Sequence, residues 1–364
     1  MKKHSRAIRP ANKPAITVGI DIGDKFSRYC VLNEEAEVVE EGRIKTEMGA
    51  VERHFAGEPR VRVAMECGTH SPWMSRLLKD LGHEVIVANA RKVESITSNE
   101  SKCDRYDAEQ LARLAHYDPK LLHGVRHRGV ERQQDLMLIQ TRATLVRART
   151  MIINTARSLV KSAGKRLPKC DSSCFPSKVQ EWVPAEVRPA LVPLIEQTAR
   201  LNEQIARLDQ QVEALAKKYP EIRRLRTAPG VGPLVAATYV LTLDRTDAAG
   251  HSRSAGAFLG LRPRRDQSGD YDRQCRITKT GNTYLRSQLI QSAHYILGRF
   301  GPDSALRRWG LKLAASGGKR GKKRAIVAVA RKLAVILHCM WRTEQSYRAF
   351  PEARVQLSAA RGQA

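Results

Sequence analysis

The sequence lacks any run of about twenty apolar residues, so nothing in its 364 residues reads as a membrane-spanning helix. Aromatic residues are scarce at 5%, and no basic amphipathic helix with an aromatic face stands out. A membrane surface is therefore the poorer choice of polyanionic partner. Cysteines are seven and scattered, at Cys30, Cys67, Cys103, Cys170, Cys174, Cys275 and Cys339. An odd, dispersed set suits free thiols in a reducing compartment. Cys170 and Cys174 are close, but no second Cys/His pair stands at zinc-site spacing. The opening "MKKHSRAIRPANKPA" is basic and has no apolar signal core. It is expected to be a flexible arm on an intracellular protein.

Carboxylates are also few. There are 37 Asp/Glu against 64 Lys/Arg, a formal charge of +27. The excess is uneven: residues 251–364 hold 23 Lys/Arg against 6 Asp/Glu, a net of +17. Such a field attracts polyanions, and nucleic acid fits best. The plain alternative is a solvated basic surface.

What is present divides into three blocks. From 16 to about 120 the pattern is strand-rich. Residues 16–20, 27–32 and 37–44 read as three successive strands, followed by a short helix over 50–55. "VRVAME" is a fourth strand, and a helix over 71–81 starts with Ser71 and Pro72. "HEVIVAN" is a fifth strand, and a helix follows from Asp104. Three strands, then alternating helix and strand, is the order of an α/β ribonuclease-H-like fold. From 121 to 225 the strands stop. Leu191, Leu194, Thr198, Leu201, Ile205, Leu208, Val212 and Leu215 alternate at spacings of three and four. That stripe makes a rod of roughly 37 Å. Its partner is either the 131–160 helix of the same chain or a second copy in a coiled coil. From 226 to 345 a mainly α domain is expected, and 346–364 reads as a flexible tail. In "APGVGP", Gly230 and Gly232 sit between helical stretches like a helix-hairpin-helix turn, whose amides can hold a phosphate.

The carboxylates pose the chemical question. Asp21 ends an apolar strand, where an unpaired charge is costly. It pairs with a metal ion, or caps a turn, or belongs to the phosphate end of a kinase. Glu66 ends the fourth strand, and Asp104 and Asp107 share one helix face. In a ribonuclease-H-like fold all four converge. Two carboxylates 4 Å apart repel by about 4 kcal/mol at an effective dielectric of 20. Two Mg²⁺ ions, or Mn²⁺ in their place, would resolve the conflict and drive in-line displacement at phosphate. Singly, each acid has a plainer reading as a turn residue, a strand-end charge or a helix cap.

"GIDIG", "AMECGTHSPW", "SKCDRYDAEQLA", "APGVGP" and "FLGLRPRRDQSGDYDRQCRITKTGNTYLR" occur in this order. Together they resemble the DEDD transposases of the insertion-sequence one-ten family, also called bridge-RNA-guided recombinases. The cysteine, histidine and tryptophan after Glu66 look more like the eleven-eleven subgroup. The resemblance runs from about residue 16 to 345. It implies a RuvC-like domain whose acids, Asp21, Glu66, Asp104 and Asp107, bind Mg²⁺. It also implies a C-terminal transposase domain whose catalytic serine, in an "SG" dipeptide, is Ser268. That serine is expected to form a phosphoserine link to DNA. Donor and target DNA, a structured noncoding guide RNA and a homo-oligomer, dimer or tetramer, are the implied partners, with sites that can be shared between protomers. Two positions depart from the family pattern, Cys103 for threonine and Cys275 for glycine.

Around Ser268 lie Arg262, Arg264, Arg265, Arg273, Arg276 and Lys279. Arginines grip phosphate bidentately and stabilise charge that grows in transfer. Arg286, Lys322 and Lys323 extend the basic set. A serine hydroxyl needs a base, a metal or cationic neighbours to react, and no Ser-His-Asp arrangement is visible nearby. Apart from the resemblance, Ser268 is an ordinary loop serine. The rival functions are a sugar-kinase-like or actin-like ATPase, a metal-dependent junction resolvase using water, and a binding protein without chemistry. The first would need a second glycine-rich phosphate strand and an adenosine loop, and neither is found.

Overall fold

The structure, a computed structural model, describes residues 15–89, 104–269, 271–316 and 318–351. The expected N-terminal arm, Cys103 and most of the expected C-terminal tail lie outside the described residues. The chain divides into two compact units, Met1–Arg128 and Gly129–Ala364.

In the first unit, β1 (Thr17–Asp21), β2 (Phe26–Leu32) and β3 (Val38–Lys45) form an antiparallel meander. Helix α1 (Met48–Phe55) follows, then β4 (Arg62–Glu66), α2 (Ser71–Asp80), β5 (Glu84–Ala88) and α3 (Asp104–Tyr117). Sheet order is β3-β2-β1-β4-β5, with β4 parallel to both β1 and β5. This is the ribonuclease-H-like arrangement expected from the element order. Strands β1 and β4 are central and buried on both faces, which is why they read as near-continuous apolar runs. One face packs Ile20, Val63 and Met65 against Phe55, Met74 and Leu78 of α1 and α2. The other face is covered by α3. Its Ala108 and Ala112 meet Cys30 and Leu32, and its Leu111 and Ala115 meet Ala64 and Ala88.

The second unit is built on two long helices, α4 (Val130–Ser162) and, after the short α5 (Phe175–Val179), α6 (Arg188–Lys218). Asp135 accepts from Lys218 at 2.6 Å, Arg142 pairs with Asp209 at 2.5 Å, and Arg149 donates to Asn202 at 2.8 Å. As the residue number rises on α4 it falls on α6, so the pair is an antiparallel hairpin within one chain. Leu191, Thr198, Leu201, Ile205, Val212 and Leu215 of the apolar stripe are buried, while Leu194 and Leu208 remain half-exposed. Burial and the Asp135 carboxylate push the Tyr219 hydroxyl up to about 12, so it stays a donor to Asp135.

Helix α7 (Pro220–Leu225) and the Pro229–Gly232 turn lead into α8 (Pro233–Leu243), in which every residue from Val235 to Leu243 is buried. Around α8 pack α9 (Ala255–Phe258), α10 (Thr283–Leu297), α11 (Ala305–Ser316) and α12 (Gly321–Thr343). Between α9 and α10 the chain forms a two-stranded antiparallel ribbon, β6 (Pro263–Ser268) and β7 (Tyr271–Ile277). The sequence reading anticipated no strands there. "PRRDQS" carries no apolar alternation, and β6 is exposed apart from half-buried Pro263, so the usual signal of a half-buried strand is missing.

Candidate active site and basic groove

Three elements of the first unit bring acids to one edge of the sheet. The register of β1 and β4 runs from Thr17↔Arg62 to Ile20↔Met65. Asp21 and Glu66 therefore end neighbouring parallel strands, whose axes stand about 4.8 Å apart. Both are half-buried. The direction of α3 is set at the opposite edge. Arg62 opens β4, is 8% exposed, and donates through Nη1 to the Ala115 carbonyl at 3.1 Å. A bidentate pair with Glu84, at 2.9 and 3.2 Å, holds its guanidinium in place. The C-terminal part of α3 thus lies over the start of β4, and its N-terminal part over the end. Eight helical residues back from Ala115 span about 12 Å, and four strand residues on from Arg62 span about 13 Å. Asp107 consequently stands level with Glu66.

Gly19 makes this approach possible. A Cβ there would lie 1.9 Å from the Ala108 carbonyl oxygen and 2.6 Å from the Ala112 nitrogen. Asp104 begins α3 one turn before Asp107, and its side chain lies outside the described residues. Among the described residues, no three His, Cys, Asp or Glu side chains stand close enough to hold one ion. The donor set, carboxylate oxygens on one strand edge and one helix end, is the kind that hard divalent cations take.

In the second unit Ser268 ends β6, is exposed, and pairs in register with Tyr271 across a turn in which Gly269 has φ +54. Beside the ribbon runs a groove of about 1600 Å³. Arg264, Arg273, Arg276 and Lys279 line it from the ribbon and the chain after it, and Arg320, Lys323, Arg324, Arg331 and Lys332 from α12 and its lead-in. Arg253 adds a tenth cation, and among the described residues Asp266 is the lone carboxylate on the wall. Arg264 and Asp266 face the groove, so strand alternation puts Ser268 on the same side. Arg265 points the other way and pairs bidentately with Asp272.

Four of the expected nucleic-acid contacts lie away from the groove wall. Arg286 is 8% exposed. It donates to the carbonyls of Leu259 and Thr280 at 3.2 and 2.9 Å, and burial lowers its pKa. It fastens the loop between ribbon and α10, a structural duty that the sequence reading, which expected a nucleic-acid contact, did not foresee. Gly230, at φ +72, lies against α10, where a Cβ would meet the Ser292 carbonyl at 2.9 Å. Close packing alone thus requires glycine at residue 230. Gly232 is exposed at the N-cap of α8. Lys322 is exposed and is not part of the groove wall, whereas Lys323 is. Of the α12 wall the sequence reading named only Lys323; it missed Arg320, Arg324, Arg331 and Lys332, whose signal was the recurrence of Arg320, Arg324 and Arg331 at near-helical spacing before and within an apolar run.

Two family models match the chain in order. One, for the DEDD transposase of IS110, covers residues 18–164, which include all four acids. The other, for the transposase IS116/IS110/IS902 family, covers residues 222–308, which include the ribbon and Ser268. The chain is 27% identical over 363 residues to the transposase for insertion sequence element IS1111A of Coxiella burnetii, covering 96% of each. It is also 27% identical over 308 residues to the transposase for insertion sequence element IS1328 of Yersinia enterocolitica, covering 81% of this chain and 89% of that one. With both models met in sequence order and relatives aligned over most of its length, this chain belongs to the IS110/IS116/IS902 family of transposases.

Proposed function

We propose that this transposase cuts and rejoins DNA strands through a serine nucleophile and a divalent-metal site. The observation that carries the reading is Ser268, exposed at the tip of a ribbon whose same face opens on a groove lined by ten cations. Asp21, Glu66, Asp104 and Asp107 would hold the metal, Mg²⁺ or Mn²⁺. When bound, such an ion supplies positive charge to a phosphate that the carboxylates would otherwise repel.

The groove arginines hold the phosphate backbone and stabilise the charge that develops at phosphorus. The Ser268 Oγ forms a bond to phosphorus as the bond to the departing nucleotide oxygen breaks. The serine proton leaves to solvent, and the departing oxygen takes one up. The resulting phosphoserine conserves the energy of the broken phosphodiester, so a second strand can be joined without an external energy source. A structured noncoding RNA encoded beside the gene selects donor and target, and the protein acts as a dimer or tetramer. The α7–α8 turn serves as a helix-hairpin-helix contact to phosphate, through the exposed amide side at Gly232.

Denaturing electrophoresis of labelled DNA carrying the element's ends tests this reading. Wild-type protein should leave a protein–DNA adduct, and Ser268→Ala should bind DNA but leave none. Asp21→Asn should abolish both cleavage and adduct. Cleavage without an adduct in the wild type would favour a water-using resolvase instead.

A further inference from the structure

His70 stands in the loop beside the carboxylate edge, and its structural contacts use only one of its two ring nitrogens at hydrogen-bond distance. It lies four residues after Glu66, in the loop that leaves β4, and is half-buried. It stands at the N-cap of α2, yet its side chain makes no capping hydrogen bond. The loop is a tight one. Gly68 donates to the Ser71 hydroxyl at 3.0 Å, and that hydroxyl donates back to the Gly68 carbonyl at 2.8 Å.

The ring is oriented from both sides. The Trp73 indole N–H donates to His70 Nδ1 at 3.1 Å, with the two rings edge-on at 6.2 Å. An indole nitrogen can only donate, so Nδ1 is the acceptor and the ring proton sits on Nε2. Nε2 faces Asp24 Oδ1 at 3.6 Å. Asp24 follows Asp21 by three residues in the loop leaving β1, so the contact ties together the two loops that leave the acid-bearing strand ends. A separation of 3.6 Å is too long for a hydrogen bond. Among the described residues Nε2–H has no acceptor at bonding distance, although its direction is held.

We propose that His70 is a catalytic residue that donates Nε2–H to a non-bridging oxygen of the DNA phosphate undergoing transfer. This rests on the reading of the carboxylate edge as the phosphoryl-transfer site. The chemistry is complementary. An edge built of carboxylates repels a phosphate diester, and a neutral donor fixed in advance offers a hydrogen bond without reorganisation. Trp73 selects the tautomer and holds the ring, which leaves Nε2–H available to an incoming acceptor. No proton is transferred by His70; it hydrogen-bonds to charge that grows on the oxygen as the phosphorus is attacked.

The test uses the full chain and a plasmid carrying the element's own ends. In His70→Ala, cleavage at saturating DNA should fall about 10- to 100-fold, below the loss typical of an oxyanion-hole donor because one donor acts beside a metal site. DNA affinity, the Mg²⁺ midpoint and the melting temperature should stay near wild type. His70→Gln, whose amide can present an N–H to the same oxygen, should recover part of the loss. Trp73→Phe keeps the ring packing but removes the indole donor, and should fall between wild type and His70→Ala. A second readout is independent of turnover. In ¹⁵N-histidine spectra of the protein, a short DNA duplex should move the Nε2 proton of His70 downfield, the signal being assigned by its loss in His70→Ala. A wild-type cleavage rate in His70→Ala, or an Nε2 signal that DNA leaves unmoved, overturns the proposal. Asp21→Asn separates the two readings. If that variant is inactive while His70→Ala is normal, only the role of His70 fails; if Asp21→Asn also cleaves normally, the carboxylate edge is not the site.

Discussion

Gly19 lies directly beneath the carbonyl of Ala108, at a distance that leaves no room for a β-carbon. Strand and helix meet there backbone to backbone. The contact lies two residues before Asp21 on β1 and one after Asp107 on α3, so it fixes how closely the helix acid can approach the strand acid.

Gly19→Ala should therefore push α3 off the sheet. Overpacking of this kind costs about 1–3 kcal/mol, and the backbone of neither element can yield as a flexible side chain would. Differential scanning calorimetry should show a lower melting temperature for the first unit. Metal-dependent DNA cleavage should fall by more than the loss of folded protein explains, because Asp107 moves with the helix. A variant with wild-type stability and cleavage would show that the close approach has no part in the site.

Arg286 and the groove arginines should separate in a salt titration. Each phosphate contact contributes about 0.9 to the slope of log affinity against log salt on duplex DNA. Arg264→Ala combined with Arg276→Ala should lower that slope by nearly two such contacts and leave stability close to wild type. Arg286→Ala should leave the slope unchanged. Instead it should destabilise the second unit by about 1–3 kcal/mol, the loss expected when buried carbonyls lose their donor. Fluorescence anisotropy over a range of salt, with thermal melts of the same variants, checks both outcomes.

The first unit should also lose stability in mild acid. His127 sits against Ser71, with Nε2 2.9 Å from its hydroxyl, and its pKa is lowered to about 4 by burial first and then by Arg76, Lys79 and Arg128. The folded state holds the ring neutral where the unfolded chain, with an ordinary histidine pKa near 6.5, takes up a proton. Unfolding thus gains protons between those values, and stability falls as pH drops from about 6.5 towards 4. The ring is only half-buried, so after allowance for solvent screening the loss is about 1–2 kcal/mol. Urea melts at pH 7 and pH 4.5 should show it, and His127→Gln should flatten that part of the profile.

The strand order of the first unit was legible because Ile16–Ile20 and the "VRVAME" run are buried on both faces and leave a strong apolar pattern. The level of Asp107 beside Glu66 was expected from the fold class alone and had no local signal. It depends on Arg62 reaching the Ala115 carbonyl, a contact between residues 53 apart. The stripe from Leu191 to Leu215 was legible as an apolar face but silent about its partner, since cis and trans packing need the same spacing. The pairs Arg142–Asp209 and Asp135–Lys218 decide for the hairpin. The groove lay beyond sequence reading for another reason. Its two walls, the ribbon and α12, are some fifty residues apart, and charges of one sign carry no periodic signature of the neighbour they will face.

The ribbon that bears Ser268 adds little to the interior it stands beside. Two strands alone are marginal in water, and β6 is largely exposed, whereas α8 is enclosed from Val235 to Leu243. Residues of β6 can therefore be exchanged at small energetic cost, while those of α8 cannot. The stretch that presents Ser268 and the stretch that keeps the second unit folded are thus encoded separately in the gene, so the surface of the ribbon can drift without risk to the interior beside it.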